Sequence, residues 1–366
     1  MQGALREYFV CANSAQGFIN FFPTYLVRMQ KIYILKGGPG TGKSSLMKRL
    51  GLYFLNKGLA VDFIHCSSDT NSLDGVVIDN KIAVVDGTAP HVIEPIAIGA
   101  IDEYINLGSA LNPDVLSANK ENILDIHKKK KSLFASLYTQ LATAKHIHDK
   151  IEKIYIENID FSKLDIVADT LSNAIFKNLS PECENCYSSH RFLGALTPDG
   201  SVNYIENLTD NLSSRYFIKG RPGTGKSTLL KYLIKKAETL NLDIEIYHCS
   251  LDSNSLDMII LPQIKVGVFD STAPHELFPD RENDIILDLY SASVKGSFDV
   301  DNFEPVIALN QEYQTEIGKA REILRQCRAL HQDLEDIYIK AVDFSRIDYI
   351  YEEILDEIEY QLYMIK

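Results

Sequence analysis

The sequence predicts an α/β fold of two tandem three-layer domains, residues 1–183 and 184–366, each with a helical extension at its carboxyl end. Three observations lead to this prediction. The second half of the chain repeats the first at an offset of 183 residues. Within each half, short β-rich segments alternate with helical patterns, which is typical of a parallel α/β sheet. The last part of each half has apolar residues at helical spacing.

The repeat extends along the whole chain. Its two copies stay in register at an offset of 183, except for one extra residue in the second copy that shifts part of the alignment by one position. Matching runs begin at Lys43 and Lys226, at His65 and His248, at Asp86 and Asp270, and at Asp160 and Asp343. We therefore predict an internal duplication, with the boundary between the copies in the 181–189 stretch.

Each copy is expected to begin with a β-hairpin, formed in the first copy by residues 8–12 and 17–22 with glycine at the turn. A β-rich segment, Lys31–Lys36, then leads into a glycine-rich loop and a helical pattern. Ile82–Asp86 is apolar at nearly every position, as expected for a strand buried between two helical layers. A long helix follows, marked by an apolar stripe over residues 133–154. The second copy repeats this order.

The composition is that of a globular protein with a substantial core, since 45% of the residues are hydrophobic and 24% are charged. This balance excludes a disordered chain, a collagen and a small disulfide-stabilised protein. The longest uncharged run, residues 8–27, contains Asn13, Asn20 and Pro23, and burying those polar groups in lipid would be costly. We therefore expect no membrane insertion. Six cysteines in 366 residues are ordinary for reduced thiols, which predicts a cytoplasmic protein.

The negative charge is confined to the second half of the chain. Residues 1–183 contain 19 Lys+Arg and 19 Asp+Glu, whereas residues 184–366 contain 18 and 31, which accounts for the net charge of −13. A general nucleic-acid-binding protein needs basic surface to neutralise phosphates. The charge distribution therefore argues against nucleic acid as a partner.

Two glycine-rich loops fit the pattern G-x-x-x-x-G-K-[ST], one in each copy. Glycines allow successive backbone N–H groups to surround phosphate oxygens, and the helix that follows presents its positive end to the same anion. The lysine reaches the β- and γ-phosphates and the serine hydroxyl binds Mg²⁺. The predicted nucleotide-binding residues are Gly37, Gly38, Pro39, Gly40, Thr41, Gly42, Lys43, Ser44 and Ser45, and Gly220, Arg221, Pro222, Gly223, Thr224, Gly225, Lys226, Ser227 and Thr228.

These features resemble P-loop NTPases, and the whole layout is similar to a family of bacterial tandem P-loop ATP-binding proteins. The likeness rests on both loops, on the apolar strands that end at Asp86 and Asp270, and on the repeated His-Cys-Ser and Thr-Ala-Pro-His runs. It implies that ATP and Mg²⁺ bind to both copies and that these two aspartates hold the metal with Ser44 and Ser227. The alternative for each aspartate is a turn cap at the end of a buried strand.

The chain departs from many P-loop ATPases at the residue after each of these aspartates. Such enzymes carry a glutamate there to activate water, whereas this chain has Gly87 and Ser271. Asp69 and Asp252 follow the second strand of each copy, and either one is a candidate base at the carboxyl edge of the sheet. The Thr-Ala-Pro-His histidines, His91 and His275, are either γ-phosphate sensors or structural turn residues.

The sequence therefore predicts an Mg-ATP-binding protein with two nucleotide sites, acting as an ATPase or an ATP-dependent switch with a possible protein partner. In this hypothesis Lys43, Lys226, Asp86 and Asp270 carry the chemistry. One alternative is a small-molecule phosphotransferase that uses Asp69 and Asp252 as bases, and another is a scaffold that binds ATP without hydrolysing it. No N-K-x-D guanine signature follows either aspartate strand, which favours adenine.

Overall fold

The computed structural model describes residues 2–177, 179–180, 186–294, 298 and 303–364. Over these residues the protein is a mixed α/β structure with two six-stranded sheets and two separate hairpins. The predicted copy boundary at 183 and 184 lies outside the described residues. Cys183 lies there too, whereas Cys186, the second cysteine of a Cys183-x-x-Cys186 pattern that offers too few ligands for a zinc site, is described.

The first half supplies the first sheet and the first hairpin. Its strands are β1 (Leu5–Tyr8), β2 (Cys11–Ser14), β3 (Gly17–Asn20), β4 (Lys31–Lys36), β5 (Val61–His65), β6 (Leu73–Ile78), β7 (Ile82–Asp86) and β8 (Asp102–Asn106). The sheet order is β1-β5-β6-β7-β4-β8. Strand β6 runs antiparallel to both of its neighbours, and the other three pairs are parallel.

The second half builds a sheet with the corresponding order. Its strands are β9 (Ser188–Phe192), β10 (Gly194–Thr197), β11 (Gly200–Asn203), β12 (Ser214–Lys219), β13 (Ile244–His248), β14 (Leu256–Leu261), β15 (Val266–Asp270) and β16 (Asp284–Asp288). The sheet order is β9-β13-β14-β15-β12-β16, and β14 is antiparallel to both neighbours. The expectation of a purely parallel sheet is therefore wrong, because each half inserts one reversed strand between its second and third predicted strands.

The predicted hairpins are present, but their boundaries differ. In the first hairpin β2 pairs with β3 across a two-residue turn that Gly17 ends with a φ of 102°. Tyr8 was expected in this hairpin but belongs to β1, which pairs in parallel with β5. The segment expected to form the first strand of the hairpin is therefore divided between β1 and β2.

The helices flank the sheets and fill the rest of each half. They are α1 (Phe22–Tyr25), α2 (Lys43–Asn56), α3 (Pro113–Ala118), α4 (Lys120–Ile156), α5 (Phe161–Phe176), α6 (Ile205–Thr209), α7 (Lys226–Thr239), α8 (Leu289–Ser293), α9 (Phe303–Ile339) and α10 (Phe344–Met364). Short 3-10 turns span Leu26–Arg28, Leu107–Ala110 and Pro262–Ile264. The two long helices, α4 and α9, have 37 residues each.

Each sheet is covered on one face by a helix from the other half of the chain. The core that contains Tyr33 and Leu50 of the first half also contains Ile347 and Ile358 of α10. In the second half, Leu171 and Ile175 of α5 belong to the same hydrophobic core as Leu233. The helical extensions therefore cross over, and each closes the hydrophobic core of the opposite half.

The two long helices pack against each other in opposite directions. Leu137 of α4 clusters with Ala320 and Leu324 of α9 near the middle of both helices, whereas Ile126 clusters with Leu334 further along. Contacts that advance along one helix therefore move back along the other. As a result, the carboxyl ends of α4 and α9 lie at opposite ends of the pair.

The two sheets also meet directly, through an apolar cluster that includes Ile34 and Val85 from the first and Phe217 and Phe269 from the second. A buried ion-pair network borders this contact. Glu245 in β13 accepts hydrogen bonds from Arg6 in β1 and lies 2.7 Å from a guanidinium nitrogen of Arg191 in β9. The halves are therefore joined by a shared core as well as by exchanged helices.

Candidate functional site

The first glycine loop lies between β4 and α2, and its backbone suits an anion. Gly40 and Gly42 have φ values of 66° and 86°, which residues with a side chain rarely adopt. Successive amides in such a loop form a concave group of N–H donors. Gly42 caps the amino end of α2, so the positive end of the helix dipole faces the same region.

The Lys43 ammonium group folds back over this loop. Its Nζ donates to the carbonyl oxygens of Gly37 at 3.0 Å and Gly38 at 2.9 Å, and it lies 3.6 Å from Oδ2 of Asp86. The other oxygen of Asp86 accepts hydrogen bonds from the backbone N–H and the hydroxyl of Thr88. The lysine therefore lies between the loop and Asp86, the aspartate that the resemblance implies as a metal ligand.

The second loop, between β12 and α7, has the same geometry. Gly223 and Gly225 have φ values of 77° and 86°. Nζ of Lys226 donates to the carbonyl oxygen of Gly220 at 3.0 Å and lies 3.4 Å from Oδ2 of Asp270. Burial raises the pKa of Asp270, and Lys226 offsets only part of this effect. The structure therefore brings together the lysine and aspartate predicted in each half.

The remaining loop residues fall into three groups. The Ser44 hydroxyl accepts a hydrogen bond from the backbone N–H of Leu73 at 3.0 Å, and the Ser227 hydroxyl accepts one from Leu256 at the same distance. Thr41 and Thr224 are buried and their hydroxyls donate back to loop carbonyls at 2.8 Å. Pro39 and Pro222 are half-buried within the loops, whereas Ser45 and Thr228 are exposed on the first turn of the helices.

The difference between Gly38 in the first loop and Arg221 in the second has a steric explanation. A Cβ atom on Gly38 would lie 2.3 Å from a ring carbon of Tyr338 in α9, so a larger residue does not fit there. Its counterpart, Arg221, is exposed and its guanidinium lies 5.7 Å from the ring centroid of Tyr290. The two loops are therefore packed against different surroundings.

A buried aspartate and a histidine, buried in the first half and half-buried in the second, lie beside each lysine–aspartate pair. Asp74 in β6 lies 3.3 Å from Nε2 of His91, and Asp257 in β14 lies 3.4 Å from Nε2 of His275. Oδ2 of Asp74 is buried without a hydrogen-bond partner among the described residues. Burial alone lowers the pKa of His91, but Asp74 outweighs it, so the pKa is raised overall. The pair favours a charged histidine close to the loop.

The first of these pairs has a third neighbour. Cys11, Asp74 and His91 place one donor atom each within 4.8 Å of one another, and all three are buried. Burial raises the pKa of Cys11 well above its ordinary value, and Asp74 raises it further, so the thiol keeps its proton. The second half has Gly194 at the equivalent position. The three-residue cluster is therefore a feature of the first half alone.

The candidate bases Asp69 and Asp252 both lie on the loop after the second strand, where they shape the turn. Asp69 accepts hydrogen bonds from the backbone of Asn71 and the hydroxyl of Ser72. Asp252 binds the backbone of Asn254 in the same way, and it also lies 3.3 Å from Nζ of Lys145 in α4. The structure thus gives each aspartate a turn-capping role, and their predicted role as a base stays a prediction.

The contacts from the long helices to the loops were not anticipated from the sequence. The α9 residues Glu335, Tyr338 and Ile339 lie against the first loop, and Glu152 of α4 lies against the second. A signal for them does exist in the sequence, because His148-x-x-x-Glu152 and His331-x-x-x-Glu335 recur at the repeat offset of 183. Without the fold, nothing distinguishes these pairs from other polar residues on a long helix.

Comparison with known proteins adds no relative to the description of this site. No family model, curated protein or solved structure matches this chain. In the described part of the chain, every helix is too short or too polar to cross a membrane.

Proposed function

We propose that this chain is a P-loop NTPase with two Mg-ATP sites that arose by internal duplication, and that it hydrolyses ATP. The observation that carries the proposal is the matched geometry of the two loops. In each, a left-handed glycine pair precedes a helix whose first lysine lies within 3.6 Å of an aspartate at the end of the neighbouring parallel strand. A glycine turn with no ligand would not require this lysine and aspartate in both halves.

In this proposal the loop amides and the lysines bind the phosphates. The amides around Gly40 and Gly223 face the β- and γ-phosphates, and Lys43 and Lys226 exchange their loop carbonyls for phosphate oxygens. Positive charge at these points stabilises the charge that develops as the terminal phosphate is transferred.

The residues present also fit Mg²⁺, which prefers oxygen ligands. Ser44 and Ser227 offer hydroxyl oxygens at the start of the helices, and Asp86 and Asp270 offer carboxylates at the strand ends. Oδ2 of each aspartate contacts only the lysine ammonium among the described polar groups. When bound, the ion neutralises phosphate charge.

A cytoplasmic site of action is part of the proposal, in keeping with the free thiols of Cys11, Cys66, Cys186, Cys249 and Cys327.

The test is phosphate release from Mg-ATP by the purified protein, beside Lys43→Ala, Lys226→Ala and the double variant. We expect each single variant to lose the turnover of one site and the double variant to lose at least about 99% of the total, because removal of a transition-state charge partner costs roughly 10²–10³ in rate. Binding of a fluorescent ATP analogue should report two sites in the wild type. ATP binding without turnover would contradict the ATPase, and absence of binding would contradict the whole proposal.

A further inference from the structure

Each proposed phosphate site is bordered by the long helix of the opposite half. At the first loop, a Cβ atom on Gly40 would lie 3.1 Å from the carbonyl oxygen of Glu335 and 3.0 Å from Ile339. The backbone of α9 therefore contacts the loop directly, with no layer of side chains or solvent between them. Glu335 is the residue at the point of contact, and its side chain is about one third exposed.

The second loop has the same arrangement with the halves exchanged. A Cβ atom on Gly223 would lie 2.6 Å from the carbonyl oxygen of Glu152 in α4 and 3.1 Å from its Cα. Glu152 and Glu335 are equivalent in the repeat. The same glutamate thus borders the same position of the P-loop twice, each time from the other half of the chain.

A histidine precedes each glutamate by four residues, which is about one helical turn. Nε2 of His331 lies 3.6 Å from Glu335, and Nδ1 of His148 lies 3.9 Å from Glu152. Because residues four apart share one helix face, the histidine and the glutamate face the loop together. A carboxylate and an imidazole therefore border each loop of a chain that has Gly87 and Ser271, and no glutamate, directly after Asp86 and Asp270.

The charges around Glu335 keep its histidine neutral. Burial, together with the nearby Lys130 and Lys43, lowers the pKa of His331 to about 4. The Lys130 ammonium lies 2.8 Å from Nδ1 of His331, and an ammonium group can only donate. Nδ1 therefore accepts, so the ring proton is on Nε2, which points toward Glu335.

The carboxylate itself is in a setting that suits a base. Burial raises the pKa of Glu335, and the neighbouring Asp69 raises it further, while Lys43 and the backbone of Gly40 partly offset this effect. A carboxylate with a raised pKa accepts a proton more readily, and Lys43 close by places it near the phosphates that this lysine is proposed to bind.

We propose that the two sites are completed in trans, with Glu335 of the second half accepting the proton of the attacking water at the first loop and Glu152 doing so at the second. The inference rests on the proposed ATPase function. In the step, the water oxygen forms a bond to the γ-phosphorus and the bond to the β,γ-bridging oxygen breaks. ADP leaves with that electron pair, and the water proton passes to the glutamate.

The test uses variants in which one site alone can turn over. With Lys226→Ala, the first site remains, and we expect Glu335→Gln to lower phosphate release at least about 100-fold while Glu152→Gln leaves it within about twofold. With Lys43→Ala the two glutamate variants should exchange their effects. Glu322→Gln, on an exposed part of the same helix, is the matched control and should leave turnover unchanged.

Binding of a fluorescent ATP analogue separates chemistry from folding and affinity. We expect Glu335→Gln and Glu152→Gln to keep two nucleotides bound, with affinities within about threefold of the wild type, because a neutral amide fills the same space. The inference is overturned if each glutamine variant impairs the loop of its own half, if neither variant lowers turnover, or if binding is lost along with turnover. A wild-type protein that binds ATP without turnover would instead overturn the ATPase, and the catalytic role with it.

Discussion

The crossing of the long helices predicts an unusual cost for one small substitution, Gly223→Ala. The alanine Cβ would meet the carbonyl oxygen of Glu152 at 2.6 Å and its Cα at 3.1 Å. Both are backbone atoms of a 37-residue helix, so the clash cannot be relieved by rotating a side chain. Gly99 provides a matched control, because its φ is 79° against 77° for Gly223, yet a Cβ there would have nothing within 4 Å.

Both variants therefore place an alanine in a left-handed backbone conformation, but only Gly223→Ala also creates a steric clash. A left-handed alanine costs about 1–2 kcal/mol at either position, and overpacking adds roughly 1–3 kcal/mol at Gly223 alone. We expect urea unfolding, followed by circular dichroism at 222 nm, to give a free energy of unfolding about 1–3 kcal/mol lower for Gly223→Ala than for Gly99→Ala. Equal stabilities for the two variants would refute the direct contact between α4 and the second loop.

Two further substitutions test the ion pairs that join the halves. Glu245→Gln leaves the buried guanidinium of Arg191 without its carboxylate, so the free energy of unfolding should fall by about 3 kcal/mol. The control Glu238→Gln, at an exposed position, should lower the free energy of unfolding by less than about 0.5 kcal/mol. Burial raises the pKa of Glu245, but two guanidinium groups lower it more, to well below its ordinary value. The difference in the free energy of unfolding between the wild type and Glu245→Gln should therefore be largest above about pH 5 and decline as the pH falls below about 4. Equal differences at pH 7 and pH 3 would contradict this account. Lys145→Ala removes two partly exposed pairs, one with Asp149 on the same helix and one with Asp252. The free energy of unfolding should fall by less than about 1 kcal/mol, and by less still in high salt. A loss above about 2 kcal/mol would show that the pairs are shielded from solvent.

The elements with strong local signals could be predicted from the sequence. The strands Lys31–Lys36 and Ile82–Asp86 were expected with the bounds that the structure gives them, since their apolar runs are short and end at clear turn residues. The helix after the loop buries the predicted Leu46, Leu50 and Phe54. In each case the pattern and the local chain geometry agree, and no distant contact changes the outcome.

Strand β6 could not be predicted because its sequence favours a turn. Ser72, Asp74 and Gly75 are all common in turns, yet every residue of Leu73–Ile78 is buried, and the strand pairs with a neighbour on each side. Tertiary contacts decide the conformation here, as they often do for strands. The contact between Asp74 and His91 depends on this strand, so it could not be predicted from the sequence either.

The partners of the long helices could not be predicted for a different reason. The apolar stripe along 133–154 shows which face of α4 is buried but not what covers it. Two arrangements satisfy the same stripe, one with each helix on its own half and one with the helices exchanged. The choice between them depends on contacts such as Glu152 with Gly223, which are 71 positions apart in the chain, so no local rule reaches it.

The exchange of helices also sets the order in which the protein can finish folding during synthesis. The first core gathers residues from Tyr33 to Ala110, but it is closed by Ile347, Ile350 and Ile358 of α10. At translation rates of roughly 5–20 residues per second, the 237 residues between Ala110 and Ile347 take about 12–47 s to make. Throughout that interval the growing chain carries one open apolar sheet face, so the half that is made first is the half that is completed last.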